Sequence, residues 1–334
     1  MAQALFDARM KRLLCQLADP QSPPPAILDL ENIDLGLLLS AARYHCVEPV
    51  VWRKLKQTRI SSFGNANVLV QDIADQQFAA NARAMDLEAR GDGLCKKLRG
   101  AKVRAVLVKG ADFAGALYPV RADRPFTDID ILVHEKDQQA AEAVLQQAGY
   151  RQMFKPLLDR SAIYREQKWA DGNDRGVLVE LHQNLVHDSV LRRRVSFGYR
   201  EHLLVCNGTQ TTANARFFIA VVHACAGHKL HKLQLLVDVL QAIRALQPRE
   251  MTGISEHAKK LGVGLEAGLC CKLAYALFGE PAAAGIAGSL PEGRIARLAS
   301  GIVTPNTILD AFEDWFAMSK LRRHTFRLVQ KRFA

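Results

Sequence analysis

The sequence predicts an α/β protein: a small mixed sheet in residues 101–208, flanked by an N-terminal helical region, 1–100, and a C-terminal helical domain, 209–334. Three observations predict it. An apolar run, Ala105 to Val108, stops at Lys109-Gly110 and gives way to a small-residue helical pattern, which reads as strand, tight turn, helix. The stretch Asp128-Ile129-Asp130-Ile131-Leu132-Val133 alternates as a strand does, and Val177 to Leu181 supplies a second strand ahead of His182. On both sides of this core the apolar spacing is helical.

Taken in order, Ala2 to Leu17 forms an amphipathic helical pattern that the Pro-rich stretch Asp19 to Pro25 interrupts as a linker or turn. Leu28 to Leu55 and then Asn65 to Leu98 read as helices, the second with Arg83 and Arg90 on its polar face. This region is expected to act as a helical cap on the core. After Val133 a helix, Asp137 to Gln147, ends at Gly149, a residue suited to a helix C-terminus. Tyr150 to Met153 and Ala162 to Arg165 are expected as further strands, and Trp169 to Gly176 as a polar hairpin connection.

From Thr212 onward helical runs cover about Asn214 to His231, Leu233 to Leu246, Ile254 to Leu261, Gly264 to Leu277 and Glu292 to Ile302, with a Gly/Ala/Pro-rich loop before Pro291. The basic tail from Ser319 interleaves Phe326, Leu328, Val329 and Phe333 with its charges, a pattern that suits docking to its own domain or a partner as well as nucleic-acid contact.

With 334 residues, 49% hydrophobic and 24% charged, the chain has the composition of a globular protein large enough for two or three domains. The formal charge of +11 favours an acidic partner such as a nucleotide, an RNA, a phosphorylated peptide or an anionic surface. Seven scattered cysteines without a CxxC spacing argue against a disulfide framework and a zinc knuckle, and fit a reducing cytoplasm. No apolar run approaches spanning length, so membrane insertion is not expected.

Chemistry concentrates between Arg104 and His182. The strand period puts Asp128 and Asp130 on one face, and two like charges so close are costly unless a cation compensates. Glu180, on the opposite face from Val179 and Leu181, is a third acid. Three carboxylates on two strands suit Mg²⁺, a hard ion held by a few carboxylates together with substrate phosphates. Lys109 stands at a turn into a helix, where a cation beside free backbone N–H groups can hold phosphate oxygens. Arg124 precedes a proline that biases it toward an extended conformation, from which the guanidinium can aim at a triphosphate. Thr127 enters the second strand, and His182 shares the Glu180 face. His223, Cys225, His228 and His231 have offsets that spread them around a helix, which argues against a shared zinc.

Lys109-Gly110, then RPFTDIDILV from Arg124, then VELH from Val179 resemble the nucleotidyltransferases of the DNA polymerase β superfamily, above all the bacterial group of uncharacterised nucleotidyltransferases. The stretch from Phe217 to Ile243 is similar to that group's helical segment, with His223, His228 and Asp238 in matching places. The wider superfamily has Gly-Ser where this chain has Lys109-Gly110, so triphosphate contacts do not transfer directly. The resemblance implies transfer of a nucleoside monophosphate from an NTP such as ATP to an acceptor hydroxyl or phosphate, with release of pyrophosphate. It implies Asp128, Asp130 and Glu180 as the catalytic ligands of Mg²⁺ (or Mn²⁺). It implies Lys109, Gly110, Arg124, Thr127, His182, His228 and Asp238 as nucleotide or phosphate contacts. Two alternatives stand beside it: a non-catalytic nucleotide- or RNA-binding module that keeps the fold, and an RNA-directed, toxin-like transferase. The acceptor stays open among a small molecule, a peptide or protein, and RNA.

Overall fold

The computed structural model describes residues 6–58, 66–153, 165–172, 176–206, 211–312 and 318–332. Of the sequence expectations, residues 2–5 of the first helix, Asn65, 162–164 of an expected strand, 173–175 of the expected connection, and Phe333 lie outside the described residues.

Five strands form one mixed sheet: β1 (Ala105–Leu107), β2 (Asp128–Val133), β3 (Tyr150–Gln152), β4 (Glu166–Asp171) and β5 (Leu178–His182), in the spatial order β1-β2-β5-β4-β3. β2 and β5 run parallel, and the other neighbours are antiparallel. Register decides which side chains meet. On β2 and β5, Asp130 pairs with Glu180 and Leu132 with His182; on β5 and β4, Glu180 pairs with Lys168 and His182 with Glu166. Because strand side chains alternate, Asp128, Asp130, Glu180, His182, Lys168 and Glu166 all share one face.

The opposite face is apolar. Ile129, Ile131, Val133, Val179, Leu181 and Trp169 pack there against Leu87, Leu94 and Leu98 of the long helix Ala66–Gly100. Gly91 lets that helix approach closely, since a Cβ there would lie 3.2 Å from a Leu107 methyl. A second core joins the N-terminal helices to the C-terminal ones: Leu14, Trp52 and Leu55 share it with Phe113, Leu132, Phe217, Leu236 and Phe326. Packing thus groups the long helix with the sheet, and the first three helices with the C-terminal half.

Several expected elements shift. Trp169 to Asp171 belong to β4, not to a hairpin connection, because Glu166-Gln167-Lys168-Trp169-Ala170-Asp171 alternates and puts the fully buried Trp169 on the apolar face. Leu28 to Leu55 is broken at His45–Val47 into the helices Leu35–Tyr44 and Glu48–Gln57, with Cys46 at φ +58. Asn214 to His231 is not one helix: Ala213–Val222 passes into a π-turn, His223–Gly227, where the His228 N–H donates to His223 O. The Gly/Ala/Pro-rich loop contains a helix, Pro281–Ser289, because Glu280 caps it and Pro281 opens it.

The basic tail forms the helix Met318–Arg332 and docks on its own domain. Phe326 and Val329 are buried, and the Arg327 guanidinium donates to Cys225 O and Ala226 O of the π-turn.

Candidate active site

The site lies where β1, β2 and β5 expose their polar face. After β1 the chain turns at Lys109, which takes φ +56 and ψ −131, and enters the helix Gly110–Ala116. The positive φ falls on Lys109 and not on the glycine after it. A non-glycine residue in that region is strained by about 1–3 kcal/mol. The turn delivers the Lys109 amine into the sheet face, with Nζ 2.6 Å from Asp130 Oδ1.

Asp130 is buried and doubly held, since His182 Nε2 stands 2.8 Å from the same Oδ1. A carboxylate only accepts, so His182 donates its Nε2–H there. Burial favours the neutral acid, yet Lys109 and His182 hold Asp130 well below the usual carboxylate range. Burial likewise works against the Lys109 charge, and Asp130, with Glu180 and Asp128 behind it, more than restores it. Glu180 Oε1 takes a hydrogen bond of 2.6 Å from Lys168, and its Oε2 lies 3.5 Å from His182 Nε2.

Asp128 differs from its neighbours. Among the described residues its side chain has no ion pair or hydrogen bond, and burial together with the charges of Asp130 and Glu180 pushes its pKa up to about 6. An under-compensated carboxylate beside two others is what a divalent cation relieves. Ligand atoms of Asp130, Glu180 and His182 lie within 4.8 Å of one another and could hold a divalent ion; Asp128 is not part of that group. Beside it, Lys109 and Glu180 line a cavity of about 280 Å³ with Glu166, Lys168, His187, His223 and His228.

The remaining candidates divide. His228 is exposed on that cavity, and Thr127 is exposed just before β2. Gly110 has a close neighbour in Phe126, 3.4 Å from where a Cβ would sit, and its carbonyl accepts from Arg124 Nη1. Arg124 and Asp238, expected to meet phosphate, meet each other. Nε and Nη2 of the buried arginine each stand 3.0 Å from an Asp238 oxygen, and the Tyr118 hydroxyl donates to Asp238 at 2.7 Å. With the guanidinium 5.3 Å from the Phe113 ring, the pair clamps the entry to β2 onto the helix Leu233–Ala245. Sequence reasoning missed this because a bidentate pair 114 residues apart leaves no local pattern.

It also missed Glu166, Lys168 and His187. The available signal was the alternation of β4, which puts the first two on the Glu180 face.

A mixed sheet entered through strand, turn and helix, with its acids gathered on one face, is an α/β nucleotidyltransferase-like core. The family model for uncharacterised nucleotidyltransferases matches residues 31–279, well over half of the chain, and the chain belongs to that family. No curated protein matches the sequence.

Proposed function

We propose that the protein transfers a nucleoside monophosphate from an NTP to an acceptor oxygen, with divalent cations held by Asp128, Asp130 and Glu180. The observation that carries this reading is Asp128, the one acid of the trio without a basic partner among the described residues, raised in pKa by the other two. Bound Mg²⁺ or Mn²⁺ would supply charge neutralisation at the triphosphate and activation of the acceptor oxygen. The chain's own residues do the rest by position and charge.

Lys109 sets the orientation of Asp130 and keeps it ionised, and its remaining N–H donors point a positive charge toward the cavity for a phosphate oxygen. His182 fixes the same carboxylate from the other side. Lys168 and His228 line the cavity that receives the phosphates, and Thr127 offers a hydroxyl at the strand entry. Arg124 and Asp238 act from behind, holding Gly110 and the β2 entry in place.

The test is incubation with each α-labelled NTP, Mg²⁺ or Mn²⁺ and a cell extract, comparing wild type with Asp128→Asn. Label transfer by wild type and its loss in the folded variant is the expected result. Equal transfer by both, or none by wild type with any NTP and metal, would remove the reading.

A further inference from the structure

Behind the acid trio, the same sheet face carries a second ligand group of different chemistry. Glu166 Oε2 lies 2.8 Å from His187 Nδ1 and 3.7 Å from His182 Nδ1, and ligand atoms of all three residues lie within 4.8 Å of one another. From these contacts, and from a fully buried His182 whose Nδ1 has no hydrogen-bond partner among the described residues, we propose that Glu166, His182 and His187 form a binding site for a first-row divalent transition ion.

The tautomer of His182 is the central point. Its Nε2–H is committed to Asp130 at 2.8 Å, so the Nδ1 lone pair points the other way, toward Glu166, and finds nothing to accept. A buried imidazole nitrogen without a donor is costly, by roughly 1–3 kcal/mol. A carboxylate that accepts the far N–H of a ligating histidine is the usual support of a metal-bound imidazole, because it fixes the ring and raises its basicity. Asp130 fills that role here. It would thus belong to the acid trio through one side of the sheet face and orient a histidine ligand on the other.

The other two ligands are equally well set. Glu166 is the register partner of His182 across β4 and β5, so the sheet itself fixes their approach. His187 stands on the loop after β5, where Arg192 Nη1 donates to the carbonyls of Val186 and His187 at 2.7 and 2.8 Å, and Asn184 Oδ1 accepts from the Val186 N–H. Metal bonds to nitrogen and carboxylate oxygen near 2.0–2.2 Å put neighbouring ligand atoms roughly 3–3.5 Å apart, close to the spacings present. His187 gives up its Nδ1 proton on binding. Two imidazoles and one carboxylate select Zn²⁺, Co²⁺ and their neighbours over Mg²⁺, which prefers oxygen alone. Glu166 and His187 line the same cavity as Lys109, Lys168 and His228.

The site shares Asp130 and His182 with the proposed transfer machinery, so its test reads metal rather than turnover. Full-length protein is stripped with chelator and titrated with Co²⁺, following visible absorption and bound metal per chain. His187→Ala, at a partly exposed residue, and the isosteric Glu166→Gln should each weaken at least tenfold the Co²⁺ binding that carries the imidazole-type absorption, while Asp128→Asn keeps that absorption whatever it does to metal held by the acids. Circular dichroism shows that each variant is folded, and Glu166→Gln carries the test if His187→Ala is not. Imidazole-type Co²⁺ absorption unchanged in Glu166→Gln, or abolished by Asp128→Asn alone, would overturn the proposal.

Discussion

Lys109 Nζ and Asp130 Oδ1 stand 2.6 Å apart, a buried ion pair reached only because Lys109 accepts a backbone conformation that favours glycine. The charge and the strain sit on one residue and have opposite consequences. Removing the amine leaves Asp130 buried with one partner fewer, a loss of about 3–5 kcal/mol for a pair of this kind. Removing the Cβ relaxes the turn.

Comparison of Lys109→Ala with Lys109→Gly separates the two. Both lose the ion pair, so both should be destabilised, but the glycine variant should be the more stable by about 1 kcal/mol, the reverse of their usual order. Denaturant midpoints of the two variants measure this. An alanine variant as stable as the glycine one would mean that the turn carries no such strain.

Asp128 makes the second prediction. Its folded pKa of about 6 lies above the ordinary 3.8, so between those values the folded chain binds more protons than the unfolded one, and stability falls as pH rises through that window. At neutral pH without divalent ions, Asp128→Asn should therefore raise the melting temperature, by an amount of order 1 kcal/mol after solvent screening. Adding Mg²⁺ or Mn²⁺ should stabilise wild type and leave the variant almost unmoved. A melting curve in chelator and one in excess Mg²⁺ are enough; equal metal-induced shifts in both proteins would mean that Asp128 is not a ligand.

His45 gives a pH response of the opposite sign, far from the acids. Its Nδ1 accepts the Leu233 N–H at 3.2 Å and its Nε2 faces Leu309 O at 3.4 Å, so the buried ring is neutral and joins the N-terminal helices to the C-terminal half. Burial lowers its pKa from 6.5 to about 4. Its contribution is fully present above pH 6.5 and is lost as pH falls to 4, by about 3 kcal/mol. His45→Gln, which does not ionise, should flatten the wild-type stability curve over that window. Parallel curves for the two proteins would show that His45 is not the titrating group.

Much of this architecture is legible in the sequence. The alternation of Asp128 to Val133 and the polar position of Glu180 sufficed to put three acids on one sheet face, since strand periodicity is a local property. Their adjacency depended on β2 and β5 being neighbours in register, with Asp130 opposite Glu180, and the sequence implied that only through the family resemblance. Trp169 to Gly176 reads as a polar hairpin connection, whereas Trp169 to Asp171 complete β4. Arg124 reads as a guanidinium aimed at a triphosphate because of the proline after it, and Asp238 as a cleft residue through the family resemblance; their pairing across 114 residues leaves no local pattern. Lys109 reads as a cation at a turn, and the positive φ that goes with its ion pair to Asp130 has no signal in the local sequence.

The tail bears on the choice of acceptor. Read as sequence, Met318 to Arg332 offers basic residues that suit nucleic acid; folded, it gives Phe326 and Val329 to the core and spends Arg327 on the carbonyls of the π-turn that carries His223 toward the cavity. Deleting residues 321–334 should therefore do more than remove surface charge. It removes the buried Phe326, worth roughly 1.5–3 kcal/mol in apolar burial alone, and leaves two backbone carbonyls without their donor. Arg327→Ala alone should destabilise by about 2 kcal/mol and speed hydrogen exchange at the His228 amide, which donates to His223 O across the turn. Exposed Lys320 and Arg322 face away from the core, so Lys320→Ala with Arg322→Ala should leave the melting temperature within about 1 °C of wild type while reducing any salt-dependent RNA affinity. A truncated chain that melts with wild type would contradict the docked tail, because a helix that only met RNA could be lost without cost to the fold.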